Sequence, residues 1–297
     1  MTRAVAGRHT SASARRCTVT IMAAADALVT TGQKTHRYLR LALVLIVVAL
    51  IFAVVLQSVV VSWTPLIFGW NPLPSISHAF YTPVRDIFVG TLISASVALL
   101  ALSGRSRATT LLDVCAVFAP LIAIVPVGIA DPRAVDRMPC PTAQECIPVD
   151  AVASAKAGIA VYAVVVVALG FAPAVNEHFP FNFWPVNSIH FAATLLFFGV
   201  FAAVPILYAG GPLDPDETPP TPRQRTIYRW ISGLMIADLV LLVVALLFRQ
   251  AFGETPVVLI GEAVALILFA TFWWVQTFQR WNDPNPPSIA APRPSAA

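Results

Sequence analysis

An all-α, polytopic transmembrane helical bundle is the fold this sequence predicts, and two observations carry the prediction. Of the 297 residues, 58% are hydrophobic and only 11% are charged, less than half the roughly 25% charge of an ordinary soluble domain. Apolar runs of about 20 residues, the helix length that crosses a ~30 Å hydrocarbon core, follow one another along the chain. The formal net charge of +4 is spread over termini and loops. With no basic stripe carrying interleaved aromatics, it gives no support to a nucleic-acid partner. Candidate partners are membrane lipid and a second membrane protein.

Residues 1–40 hold Arg3, Arg8, Arg15, Arg16, Lys34, Arg37 and Arg40 with hardly an acid. They read as a disordered basic tail on the cytoplasmic side of the cell membrane; Met22 is an alternative start within it. A transmembrane domain over 41–278 follows, with about seven spans at 41–62, 84–103, 109–130, 156–174, 188–209, 227–249 and 256–278. The first is too long for a signal-peptide core and reads as a retained anchor. Pro120, Pro126 and Pro205 predict kinks that neighbouring helices tolerate. Residues 279–297, including "NDPNPPSIAAPRPSAA", form a Pro-rich disordered tail.

Positive charge places the N-terminus and the link "SGRSRATT", with Arg105 and Arg107, on the cytoplasmic side. Seven crossings would put the link from Gly210 to Thr226, with Arg223 and Arg225, outside, against that rule. Six crossings are the alternative, with 156–174 as the segment that does not cross. The exterior loop "DPRAVDRMPCPTAQECIPVD" holds Cys140 and Cys146, a candidate disulfide in an oxidising compartment or else two free thiols. Two sulfurs without further ligands do not make a zinc site. Cys115 reads as packing inside a span.

The stretch "SHAFYTPVRDIFVG" (Ser77 to Gly90) is the first candidate site. Thr82 and Pro83 suit a helix start, and Asp86 in the first turn suits the positive helix end. Arg85 either snorkels or, with His78 and Tyr81, grips a lipid phosphate or a carboxylate. His78, Tyr81, Arg85 and Asp86 are therefore the candidate ligand-binding residues.

The spans carry further polar candidates. Asp113 is either the fourth member of a Thr110 capping box or an inward carboxylate facing Arg105 and Arg107. His190 and Thr194 share a helix face, with Asn187 and Ser188 just before them. His190 is a proton carrier, a metal ligand or a hydrogen-bond donor, or simply an imidazole tying two helices. Asp238, deep in "MIADLVLLVV", is protonated, paired or lining water. Glu262 follows Gly261 near the start of its span, where a carboxylate is tolerated. The segment "NEHFPFNFWP", with Glu177 and His178, reads as an interfacial aromatic anchor.

The motifs "YTPVRDIFVG" and "IHFAATLLFF", with Glu262 and the Trp273–Trp274 pair, resemble a group of bacterial multi-pass membrane proteins without an assigned activity. The resemblance runs from about Trp63 to Trp274. It implies that Tyr81, Thr82, Arg85, Asp86 and His190 belong to a shared design and carries no activity with it. Span count and an early inner Asp also resemble the membrane hydrolases related to alkaline ceramidases and adiponectin-type receptors. Those hold zinc with a His-x-x-x-His pair in the last span, whereas this chain has no His after His190. No G-x-S-x-G motif occurs, and no cofactor is expected. The leading expectation is a non-enzymatic protein that binds lipid or a membrane partner through its outer face. The alternatives are a small-solute or proton-coupled transporter and a metal-dependent intramembrane lipid hydrolase.

Overall fold

The computed structural model describes residues 9–62, 73–104, 106–125, 127, 149–166, 186–213, 218–248, 257–281 and 283, with side chains described from Gln33 onward. Among these residues every regular element is helical. The helices are α1 (His9–Ser62), a short 3-10 helix (Ile76–Tyr81), α2 (Arg85–Ala101), α3 (Arg107–Ile124), α4 (Val149–Val166), α5 (Val186–Ala209), α6 (Pro222–Leu247) and α7 (Val257–Gln279). Each of the seven apolar segments found in the sequence overlaps one of these α-helices among the described residues. The first helix also reaches back to His9, into the stretch read as a tail.

Five stretches are long and apolar enough to cross a membrane: Gln33–Val59, Arg107–Ile124, Ile189–Ala209, Pro222–Ala245 and Val257–Gln279. Helix α2 has 17 residues, about 25 Å at 1.5 Å per residue, just short of the hydrocarbon core. The apolar part of α4, Ala153–Val165, is shorter still. The outer faces are as apolar as the core: Phe52 is 66% exposed, Val164 69% and Leu247 75%. Water would penalise so much contiguous apolar surface, and hydrocarbon does not. The chain is thus a helical bundle of the membrane-embedded class.

Local chemistry sets the helix starts. The Ser106 hydroxyl accepts from the Thr109 amide and caps α3. Thr221 and Gln224 form a reciprocal capping box at α6, with Pro222 in the first turn. Two sequence expectations shift here. Helix α3 begins a turn before the Thr110 to Asp113 box, and Thr110 donates to the Ser106 carbonyl instead. Thr82 does not cap α2: its hydroxyl donates to the Ala79 carbonyl, closing the 3-10 helix, and α2 starts without a side-chain cap. Pro120 and Pro205 lie inside α3 and α5 as expected.

The two ends of the bundle differ in character. At one end, the Gln33 side chain, where the apolar stretch of α1 begins, donates to the Asp283 carbonyl just past α7 at 2.5 Å. The Asp283 carboxylate accepts from the Thr218 amide at 3.2 Å and from its hydroxyl, and it pairs with Arg280 at 2.8 Å. The part of α1 around Gln33, Thr218 before α6 and the end of α7 therefore meet at this basic end. At the opposite end, the 3-10 helix is buried against α2 and α7, with Ser75, Ile76, Ser77, Ala79 and Phe80 all enclosed.

Between the ends, aromatic rings form a column. Phe201 packs on Phe269 (4.7 Å) and Phe272 (5.4 Å), and Tyr228 closes on Phe272 at 5.5 Å. Trp273 is buried against Phe272, whereas its neighbour Trp274 is half exposed on the outer face. Two glycines permit close helix approach. A Cβ at Gly261 of α7 would lie 2.4 Å from Leu242 of α6, and one at Gly158 of α4 would lie 2.3 Å from Ile124 of α3. Helix α4 runs antiparallel to α3: Gly158 meets Ile124 near the end of α3, and the Tyr162 hydroxyl reaches back to the Val117 carbonyl.

Candidate functional site: a carboxylate, a hydroxyl and an imidazole

The buried 3-10 helix leaves its first amides without intrahelical partners, because Ser75 makes no side-chain cap. Helix α7 supplies the missing acceptor. The Glu262 carboxyl accepts from the Ile76 amide through Oε2, and its Oε1 lies 3.1 Å from Ser77 Oγ. Ser77 Oγ in turn lies 3.0 Å from His190 Nε2, and His190 Nδ1 lies 2.6 Å from the Val125 carbonyl. Val125 caps the C-terminus of α3, so the imidazole satisfies a carbonyl that the end of α3 leaves free. Ser77 and His190 are 5% and 4% exposed. Four elements, α7, the 3-10 helix, α5 and the end of α3, thus join in one chain of hydrogen bonds.

This chain borders a cavity of about 50 Å³ lined by Ile46, Leu50, Phe88, Phe198 and Phe269, with Ser77 and Glu262 as polar wall groups. Its wall is almost wholly apolar, the kind of cavity that stays dry. Thr194, expected to share the His190 face, does line the cavity, while its hydroxyl donates to the His190 carbonyl. The side chains of Asn187 and Ser188 lie outside the described residues.

The four residues of the opening motif are engaged one by one. The His78 ring turns back to Ser75 Oγ at 2.6 Å. Burial, with a smaller contribution from the neighbouring His190, lowers its pKa from 6.5 to about 4. The Tyr81 hydroxyl donates to the Val127 carbonyl at 2.6 Å. Burial raises the pKa of that phenol, and Arg85 opposes the rise. The Arg85 guanidinium sits 4.2 Å from the centre of the Phe80 ring, a cation–π contact. Asp86 is exposed in the first turn of α2. Of the four, His78 lies nearest the Glu262–Ser77–His190 chain.

The remaining candidates stand apart from it. Asp113 accepts from the Ser103 hydroxyl at 2.9 Å through Oδ2, and its Oδ1 is buried without a partner. Asp238 has one carboxyl oxygen buried and unpartnered in α6. Cys115 is buried, its thiol 3.4 Å from the Phe197 carbonyl, as packing predicts. Cys140, Cys146, Arg105, Glu177 and His178 lie outside the described residues. Among the described residues, no three His, Cys, Asp or Glu side chains gather as a metal site would require.

Sequence reasoning named Glu262 and His190 and missed Ser77, the atom that joins them. Its only signal was a hydroxyl in a Ser-x-Ser run before an aromatic pair. Also unforeseen was the basic end, where Arg40, Arg280 and Asp283 are buried and Arg37 lies 4.8 Å over Trp281. In comparisons with protein-family profiles, curated proteins and solved structures, none matches this chain.

Proposed function

We propose that this chain is a proton-coupled transporter of the membrane, with Glu262 and His190 as its proton-bearing groups. One observation carries the reading: a carboxyl and an imidazole from two different spans are joined through a serine hydroxyl beside a cavity inside the bundle. Ionisable groups within spans are costly, and they commonly mark proton or substrate paths. In this reading the chain crosses six times, starting from the cytoplasmic side of the cell membrane. The start of the apolar stretch of α1 and the end of α7 lie together at the basic end, which supports an even number of crossings. The first turn of α6, with Arg223 and Arg225, would then lie with the basic N-terminal segment on the cytoplasmic side, in keeping with the bias of positive charge.

The test is a pH-jump current from proteoliposomes on a solid-supported membrane. Wild-type protein is expected to give a transient as protons reach the centre. Glu262→Gln should reduce it to the level of empty liposomes. Equal currents from wild type and Glu262→Gln would overturn the proposal.

A second reading, headgroup binding at the outer face, rests on Arg85. Its guanidinium is exposed at the start of α2 and held over Phe80, a position that suits a lipid phosphate. Native mass spectrometry of detergent-purified protein tests it. Bound phospholipid lost on Arg85→Ala would support it, and an unchanged lipid profile would remove its support.

A further inference from the structure

The contacts around Ser77 determine how many protons the centre holds. A carbonyl oxygen only accepts, so the 2.6 Å contact to Val125 places a proton on His190 Nδ1. In a neutral ring Nε2 is then a bare acceptor. Ser77 Oγ lies between that nitrogen at 3.0 Å and Glu262 Oε1 at 3.1 Å, and it carries a single hydrogen. Two hydrogen bonds need two hydrogens. The second comes either from a protonated Glu262 or from a protonated Nε2.

Counting the other states sharpens this. With neither group protonated, the one Ser77 hydrogen fills the contact to Glu262 or the contact to Nε2, and the other contact sets acceptor against acceptor. With both protonated, Ser77 accepts twice and its own hydrogen has no target. Only the singly protonated pair fills both contacts, and it has two forms. In one, Glu262 O–H donates to Ser77 and Ser77 donates to Nε2. In the other, Ser77 donates to the carboxylate and Nε2–H donates to Ser77. The Ile76 amide bond to Oε2 and the Nδ1 bond to Val125 persist in both.

We propose that Ser77 relays one shared proton between Glu262 and His190, switching the centre between a neutral pair and an ion pair without exchange with water. The inference rests on the proton-bearing role assigned above to those two groups. In the transfer, the Glu262 O–H bond breaks as a Ser77 O–H bond forms. The original Ser77 O–H bond breaks as the Nε2–H bond forms, and no electrons change hands. The hydroxyl ends aimed at Glu262, so rotation about Cβ–Oγ is needed only to repeat the step in the same direction.

The surroundings leave the proton to this pair. From the 3-10 helix, His78 faces His190, but its ring is tied to Ser75 and, with a pKa of about 4, stays neutral. Helices α1, α2 and α3 present Ile46, Leu50, Phe88, Thr91 and Ile122 to the cavity, none of them charged. On α6, Asp238 is the titratable residue closest in sequence to Leu242, the side chain that packs on Gly261. Ser77 is a positioning and relay residue; the proton's two resting places are Glu262 and His190.

The experiment uses full-length protein in lipid nanodiscs at fixed pH over a temperature series. Infrared difference spectra report the carboxylic C=O stretch of Glu262, assigned with Glu262→Gln. Nitrogen-15 NMR reports His190 imidazolium, assigned with His190→Gln. The expected result is a one-for-one exchange of carboxylic acid for imidazolium with no proton uptake from an indicator in the medium. Independent changes of the two signals, or uptake matching either one, would overturn the relay. Ser77→Ala should uncouple the signals and Ser77→Thr should restore the coupling; a Ser77→Ala protein that stays coupled would also overturn it. The wild-type series stands as a test even if Ser77→Ala fails to fold. Coupled signals without a pH-jump current would remove the transporter reading and keep the relay; a current with uncoupled signals would do the reverse.

Discussion

At the scale of single residues, Glu262 has a structural duty separable from any proton chemistry, because it caps the buried 3-10 helix through the Ile76 amide. Glu262→Gln keeps an acceptor there, and Glu262→Leu keeps none. The leucine variant should lose about 1–3 kcal/mol, the cost of stranding buried donors, while the glutamine variant stays within about 1 kcal/mol of wild type. Thermal unfolding in detergent would show the difference. His78 gives a pH signature. Its pKa is lowered in the folded protein, so the unfolded chain binds the proton more readily. Stability is then full above pH 6.5 and falls as pH drops from 6.5 toward about 4, by at most about 1.4 kcal/mol per unit. A His78→Gln protein should show a flatter melting profile across that window. Glu262 and His190 were legible in the sequence because an ionisable group in an apolar run is conspicuous. Ser77 was not, because a serine before a span is commonplace, and its partners lie 185 and 113 residues away.

Between helices, the close approaches at glycine are what sequence patterning left unseen. In the sequence Gly261 stood only as the residue before Glu262, and its missing side chain is where Leu242 packs. A Gly261→Ala change should cost about 1–3 kcal/mol through overpacking, and Leu242→Ala in the same molecule should recover part of the loss. The melting temperatures of the two single variants and the double variant give the coupling directly. Loss of the capping box by Thr221→Ala should cost about 1 kcal/mol at α6 with no such partner effect. Helix positions were legible because apolar run length sets them. Helix starts were less so: Ser106 outcompeted Thr110 as the cap of α3 through its amide bond to Thr109, and Thr82 was drawn into closing the 3-10 helix.

At the scale of the whole molecule, the bond from Gln33 to Asp283 and that from Thr218 to Asp283 gather three distant segments at one end. Single cysteines at Lys34 and Arg223 should therefore react with a membrane-impermeant maleimide from the same side of oriented vesicles, in an otherwise cysteine-free protein. Labelling from opposite sides would contradict the six-crossing arrangement. The membrane class was legible from composition alone, since no soluble surface is built from so few charges. The number of crossings was not, because charge counting leaves Arg223 and Arg225 in conflict with seven spans. The contacts that gather Gln33, Thr218 and Asp283 are between side chains that no hydropathy profile contains.

The adjacent tryptophans of α7, two of the seven in the chain, stand in different surroundings. Trp273 is enclosed by Phe269 and Phe272, two ring contacts at 6.1 and 5.1 Å, while Trp274 stands half exposed beside Phe278. A brominated acyl chain in the surrounding bilayer would quench the fluorescence of Trp274 and leave that of Trp273. Variants keeping only one or the other indole would make neighbouring residues into two optical probes. One would read the lipid, and the other the aromatic column that runs beneath the Glu262 cavity.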